Sequence, residues 1–588
     1  MKNGTARRLG RLLIRDPRLP AGMAVTGLVS VLLTAAGPWL LGQATNLVIA
    51  GAAGHRLDFP AIGRVLLVAI GAYAGAGLCA VLQGRLANTA AQRVLMTLRD
   101  QVETKIARLP LGYFDSRPRG EILSRVTNDI DNVGVALQQV FGQFVIPLLS
   151  IIGMLAVMFA ISWPLALIAL VTAPVSVAVA GWLGRRARPG FRAQWRETGR
   201  LNAQVEEMIT GHALLKAFGR EEQAKAEFAG HNARVAEATF AAQSRANTLQ
   251  PAMTFLANLH YVLIAVAGGF RVAAGALTVG DIQAFIQYSR QYSQPFSYLA
   301  SMVGTVQSGI ASGDRVFELL DAAEEPPDRP DRTPAGPASG RVEFRHVRFR
   351  YRADEPLIED LSLLAEPGHT VAIVGPTGAG KTTLVNLLMR FYDLDGGQIL
   401  LDGTDITAMP RARLRAGIGM VLQDTWLFQG TVAENIAYGA ETATEDQVVA
   451  AAKAAHADWF IRTLPNGYDT VVDDEGGAAL SAGEKQLLTI ARAFLADPPI
   501  LVLDEATSSV DTRTEALVQQ AMSRLREGRT AFVIAHRLST IRDADTIVVM
   551  AHGAIAEQGT HDSLLAAGGL YAELYRAQFA ADHEEIAR

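Results

Sequence analysis

Cysteine is almost missing: Cys79 stands alone in 588 residues. That excludes an intrachain disulfide framework, a multi-cysteine zinc site and an iron–sulfur cluster. Charge is scarce too, with 19% Asp, Glu, Lys and Arg against 49% apolar residues. A net charge of −4 leaves no electrostatic footprint for nucleic acid, so no nucleic-acid partner is expected. An Ala-x-Ala-like cleavage site is also lacking near the N-terminus, which argues against a signal peptide.

The scarcity of charge is local. Residues 19–54, 65–84, 132–184 and 246–270 contain no Asp, Glu, Lys or Arg, and "SWP" (Ser162, Trp163, Pro164) divides the third run into a hairpin. A helix needs about 20 apolar residues to cross a bilayer core, so these runs supply five membrane spans. Buried helices of a soluble core rarely stay uncharged for so long. A sixth span follows at "VGDIQAFIQYSRQYSQPFSYLASMVG", more polar and carrying Arg290. The N-terminal segment and the long connections 85–131 and 185–245 are basic, whereas 55–61, 162–164 and 271–281 are short and nearly free of Lys and Arg. Six spans with both termini in the cytoplasm satisfy that bias, in the cell (cytoplasmic or inner) membrane.

The pattern changes at "DAAEEPPDRPDRTPAGPASG", which reads as a linker. Strand-like segments then alternate with helical ones, implying an α/β domain with a largely parallel sheet. The expected organisation is an α-helical transmembrane domain at 1–320, a linker at 321–340 and a nucleotide-binding domain at 341–588.

"GPTGAGKTT" comprises Gly375, Pro376, Thr377, Gly378, Ala379, Gly380, Lys381, Thr382 and Thr383. It fits G-x-x-x-x-G-K-[ST] between a strand and a helix, a context in which backbone N–H groups close around phosphates. Lys381 is assigned to the β- and γ-phosphates of ATP, and Thr382 to Mg²⁺. "ILVLDEA" is an apolar strand ending in two acids: Asp504 suits Mg²⁺, and Glu505 suits the general base that polarises the attacking water. Exposed strand-end acids are the bland reading of an isolated Asp-Glu pair, and the phosphate loop in the same domain argues against it.

Over nearly its whole length the chain resembles the ATP-binding cassette (ABC) transporters, specifically exporters with six helices and one cassette per chain. The resemblance implies an ATPase coupled to transport. It makes Tyr351 the aromatic that stacks on adenine and His536 the contact to the γ-phosphate. Gln423 would be the glutamine linking Mg²⁺ and water to the membrane half. Ser508 to Asp511 ("SSVD") resembles the loop that crosses to the opposite cassette. Residues 113–131 and 206–222 look like the regions that dock on the cassettes.

"LSAGE" stands where this family usually has Leu-Ser-Gly-Gly-Gln. The resemblance implies that Ser481, Ala482, Gly483 and Glu484 contact the ATP held by a second half-transporter. Ala482 adds a methyl group where Gly allows close approach, and Glu484 adds an acid near a polyphosphate. With the chain's own ATP-holding set complete, this suggests a heterodimer whose partner has a regular signature and an impaired catalytic acid. A homodimer that tolerates both changes is the alternative.

On the sixth span Gln283, Gln287, Arg290, Gln294, Ser297 and Ser301 share one helix face, with Phe285, Tyr288, Tyr292 and Phe296 alongside. This face is a candidate lining of the translocation cavity, meeting an amphipathic substrate with an anionic or polar group. Polar glue between helices is the competing reading. His260 is expected to be a buried packing residue, and Pro295 to bend its helix. The leading expectation is an exporter of amphipathic or lipid-like substrate. A lipid flippase, an importer on the same scaffold and a non-transporting ATPase are the alternatives.

Overall fold

The computed structural model describes residues 2–14, 16–328, 330, 338–352, 354–423, 425–440, 442–472, 480–504, 512–535 and 538–577. The chain divides into two compact units, Met1–Arg108 with Pro118–Ala323, and Leu109–Arg117 with Glu324–Arg588.

The first unit is helical: α1 (Lys2–Ile14), α2 (Arg18–Ala53) and α3 (Phe59–Ile106) precede the excluded segment, which holds α4 (Leu111–Asp115). Then come α5 (Arg119–Val126), α6 (Asn128–Gln139), a π-turn at Val140–Phe144, α7 (Val145–Ile161) and α8 (Trp163–Thr210). The unit ends with α9 (His212–Ala217), α10 (Glu221–Asn247), α11 (Leu249–Ala273) and α12 (Val279–Leu320). Among the described residues five helical stretches are long and apolar enough to cross a membrane: Arg18–Ala53, Phe59–Ile106, Arg119–Ile161, Trp163–Thr210 and Glu221–Ala273. At 36 to 53 residues they exceed the about 20 that a bilayer core requires, so their polar ends run beyond it. α12 is a sixth long helix of 42 residues and is not one of these five.

Helix α12 is packed by α2, α6, α7 and α11. Its aromatic stripe faces inward: Phe285 and Tyr288 are fully buried against Met158, Leu165 and Ile264. Near its start α12 meets α2 backbone to backbone, and a Cβ on Gly280 would lie 2.0 Å from the Gly42 carbonyl oxygen. Only a bare backbone permits that approach. Asn46 of α2 accepts from the Gly280 N–H at 2.8 Å and donates to Thr278 Oγ1 at 2.9 Å, serving the first turn of α12. Toward its other end Arg315 donates to buried Asp129 of α6 at 2.8 and 2.5 Å. Asp129 is the buried partner and the Arg315 side chain is half exposed, so the pair ties α12 to α6 at the edge of the packed region. His260 is buried, with Nδ1 2.8 Å from Thr172 Oγ1 and Nε2 buried without a partner among the described residues.

The second unit contains β1 (Val342–Phe349), β2 (Ile358–Ala365), β3 (Thr370–Val374), α13 (Lys381–Leu388), β4 (Gly396–Leu401), β5 (Thr404–Asp405), α14 (Arg411–Ala416) and β6 (Ile418–Val421). It continues through β7 (Gly430–Thr431), α15 (Val432–Ala437), α16 (Glu445–Ala454), α17 (Asp458–Ile461), β8 (Val471–Val472), α18 (Ala482–Ala496) and β9 (Ile500–Asp504). α19 (Thr512–Arg526), β10 (Thr530–Ile534), α20 (Leu538–Arg542), β11 (Thr546–Ala551), β12 (Ala554–Gly559) and α21 (His561–Ala567) follow.

The main sheet has the order β12-β11-β3-β10-β9-β6 and is parallel except at the β12 edge. An antiparallel sheet, β2-β1-β4-β5, stands beside it. Val371 and Ile373 of β3 enter one core, and Ala372 and Val374 the other. A strand buried on both faces needs an unbroken apolar run, which is why "TVAIV", "ILVL" and "TAFVI" show no alternation. The beginning of the connecting segment is pinned to this unit: Arg411 donates to Asp328 Oδ1 at 2.6 Å and to the Pro326 carbonyl at 2.8 Å. Asp115 of α4 accepts from the Tyr392 hydroxyl.

Candidate nucleotide site

Strands β3 and β9 both flank β10, whose Ile534 is in register with Ile373 on one side and Asp504 on the other. The phosphate loop after β3 and the acid at the tip of β9 therefore emerge at one carboxyl edge, where α/β sheets receive ligands. Gly375 has φ +150°, and a Cβ there would lie 2.2 Å from the Met550 carbonyl oxygen on β11. No side chain can be carried at that position. Gly380, with φ +99°, is the N-cap of α13 and offers no side-chain cap. The first turn of α13 contains no acid either, so its amides and the helix field are left open to an anion.

Lys381 folds over this loop, donating through Nζ to the carbonyls of Gly375 at 2.7 Å and Pro376 at 3.0 Å. Burial holds its amine below the ordinary lysine pKa, and the Asp504 charge opposes that shift. Thr382 and Gln423 are exposed and Asp504 is half-buried. Hydroxyl, amide oxygen and carboxylate are all oxygen donors, the chemistry that suits Mg²⁺.

Tyr351 stands beside the loop. Its hydroxyl donates to Thr383 Oγ1 at 3.2 Å and accepts from Asn386 Nδ2 at 3.4 Å. Phe349 and Tyr392 pack edge-on against its ring at 4.8 and 5.0 Å, while 48% of the residue remains exposed. A held ring with a free face is suited to stacking on a base. Tyr392 was not evident from the sequence, because its place in this aromatic group depends on long-range packing. Burial and the neighbouring Asp115 carboxylate push its phenol well above the usual range.

At the start of α18 the arrangement is reversed. Ser481 is the N-cap, and Glu484 reaches back to it: the Ser481 N–H and Oγ both donate to Glu484 Oε2 at 2.8 Å. The Glu484 N–H donates to Ser481 Oγ at 3.3 Å, completing a capping box. Ser481 and Ala482 are exposed and Gly483 is buried. Further along α18, Arg492 clamps the segment after Gln423, donating to the Trp426 carbonyl at 2.7 Å and to Asn435 Oδ1 at 2.6 Å.

Glu505, the Ser508 to Asp511 loop and His536 lie outside the described residues. In the first unit Gln283 and Arg290 are exposed and Gln287 is half-buried. Gln283 already accepts from Thr45 of α2. The side chains of Gln294, Phe296, Ser297 and Ser301 lie outside the described residues.

A membrane-crossing helical unit and a phosphate-loop unit on one polypeptide define the class, membrane proteins that spend ATP on transport. Residues 22–296 match the family described as "ABC transporter transmembrane region", and residues 358–508 that described as "ABC transporter". The fatty acid ABC transporter ATP-binding/permease proteins of Mycobacterium bovis and Mycobacterium tuberculosis are each 49% identical over 98% of this chain and 96% of their own length. The ATP-dependent lipid A-core flippase of Syntrophus aciditrophicus is 36% identical over 97% of this chain and 94% of its own length. The chain belongs to the ABC transporter family: it is a multi-pass membrane protein with an ATP-hydrolysing cassette.

Proposed function

We propose that the chain is one half of a dimeric exporter of amphipathic, lipid-like molecules, and that its partner is a different chain. The observation that carries the asymmetry is the contrast within the ATPase unit. The chain's phosphate loop is open and equipped, whereas its signature serine is engaged by the chain's own Glu484. In this reading the chain's own ATP is held by Gly375 to Thr383, with Tyr351 against the base and Lys381 on the β- and γ-phosphates. Thr382, Gln423 and Asp504 hold Mg²⁺, which supplies neutralisation of charge on the phosphates. Glu505 is the base for the attacking water and His536 a γ-phosphate contact. Ser481, Ala482, Gly483 and Glu484 face the partner's ATP, where Ala482 and the Glu484 carboxylate weaken contact.

The lipid-like cargo is supported by the relatives, named for fatty acids and for lipid A-core. The division 1–320, 321–340 and 341–588 follows the change from apolar runs to strand–helix alternation. Basic connections between the spans support an inner-membrane orientation with both termini and the cassette in the cytoplasm. The face of α12 bearing Gln283, Gln287, Arg290 and Gln294 lines the path.

Intact-mass analysis of the complex drawn from its native membrane by a tag on this chain tests the pairing. Two unlike half-transporters, the second with a regular signature and an altered catalytic acid, are expected. A complex of this chain alone would end the heterodimer reading. ATP-driven movement of labelled lipid in reconstituted vesicles tests the activity and its direction.

A further inference from the structure

Arg290 is a cation that this chain's membrane segments do not neutralise. The uncharged runs 19–54, 65–84, 132–184 and 246–270 contain no acid. On α12 itself, Asp281 is committed to the helix start, where its carboxylate accepts from the Thr278 N–H at 3.0 Å. With α12 read as the sixth span, Arg290 lies three turns inside its start, about 16 Å along the axis, well within a core of about 30 Å. Among the described residues it makes no hydrogen bond or ion pair.

The helix presents Arg290 on its open side. Phe285, Tyr288 and Tyr292, on the opposite face, are at most 3% exposed, while Arg290 and Gln283 are exposed. Gln283 is occupied by Thr45 of α2 and serves as helix–helix glue. Among the described residues of this face, that leaves Arg290, with half-buried Gln287 one turn away, as the polar group without a partner. An intramembrane guanidinium without an acid calls for its counter-charge from outside the chain. Its planar fork of N–H donors fits two oxygens of one anionic group.

We propose that Arg290 is the anion anchor of the translocation path, binding the head of a long-chain lipid that carries one anionic group: a carboxylate or a single phosphate. This rests on the reading of the α12 face as a cavity wall. The aliphatic tail has apolar surroundings throughout the spans, so the head alone needs a specific partner. Recognition is therefore of sign and of head-group size, and a neutral lipid of equal chain length lacks the anchored interaction.

The purified complex, reconstituted in phosphatidylcholine liposomes, is assayed for ATPase stimulation and transport with palmitate, hexadecyl phosphate and neutral monopalmitin. Arg290→Gln is expected to raise the half-maximal concentration of palmitate relative to monopalmitin by about tenfold or more. Arg290→Lys, which keeps the charge and loses the fork, is expected to fall between. A larger shift for palmitate than for hexadecyl phosphate identifies a carboxylate cargo, and the reverse a phosphate one. Equal shifts for all three lipids, or none, would overturn the anchor while leaving the cavity wall in place. Loss of the assembled complex in Arg290→Gln but not in Arg290→Lys would instead assign Arg290 to an acid of the partner, and also overturns the proposal. If none of the three lipids stimulates or moves in the unaltered complex, the underlying lipid-exporter reading fails first.

Discussion

Two helices of the ATPase unit begin in opposite condition. α13 starts after Gly380, which has no side chain to cap it, and its first turn holds no acid. α18 starts after Ser481 and is closed by Glu484, whose carboxylate takes both the Ser481 N–H and its hydroxyl. Both termini offer backbone amides and the positive end of a helix field. One leaves them for a ligand, and the other satisfies them from within. A terminus that must bind phosphate is thus marked by what it omits. One that carries its own carboxylate already holds an anion at the positive end of its helix.

Removing the charge from the open terminus has the largest expected effect. Lys381→Ala should lower ATP hydrolysis by the complex at least about 100-fold, since a preorganised charge on the transferring phosphate is lost. Hydrolysis near the unaltered rate would mean that the partner's site does the work, reversing the assignment of the two sites.

Opening the closed terminus comes next. Glu484→Gln keeps the capping pattern, since Gln also serves at that position, and removes the negative charge. ATP should then bind the site built on Ser481 about tenfold more tightly. Glu484→Ala should not reproduce that gain cleanly, because loss of the cap costs about 1 kcal/mol of stability, read as a lower melting temperature. Unchanged nucleotide affinity in Glu484→Gln would show that the carboxylate does not obstruct phosphate. Smaller again is Tyr351→Ala, expected to weaken nucleotide binding about fivefold through lost stacking on a half-exposed ring. Tyr351→Phe separates the ring from its hydrogen bond to Thr383 and should retain most of the affinity.

The open terminus was legible in the sequence because its constraint is local. A backbone that meets Met550 at Gly375 tolerates no Cβ, and this leaves glycines at fixed spacing. The five apolar spans were legible because a bilayer sets a minimum length. Spacing also put Phe285, Tyr288 and Tyr292 on one stripe, and packing turned that stripe into the core. Gln283 was harder: a glutamine on a polar face gives no sign that Thr45 on a distant helix will engage it. Against the family's usual residue Glu484 stands out as a repelling acid, while the Ser-x-x-Glu spacing ahead of an apolar run is equally a capping signal, and it is the cap that the structure forms. The grouping of Leu109–Arg117 with the second unit has no local signature, because Tyr392 lies far along the chain.

The finest test of the comparison is protonic. Burial disfavours the charged form of Lys381, so its pKa lies below the ordinary 10.5, with Asp504 opposing. A bound polyphosphate favours the charged amine and raises that pKa again. Between the two values the nucleotide-bound state holds more protons than the empty one. ATP binding must therefore take up a fraction of a proton, growing as pH rises toward the depressed value, and affinity must fall over the same range. Calorimetry in two buffers of different ionisation enthalpy, between about pH 8 and 9.5, lies above the range in which a phosphate itself titrates. Uptake well below one proton is expected at the lower end, rising at the upper, and it should vanish in Lys381→Arg, whose charge is fixed throughout. At the signature terminus, Glu484→Gln should leave the slope with pH unaltered. A slope that disappears with Glu484→Gln and persists in Lys381→Arg would move the titrating contact from the open terminus to the closed one.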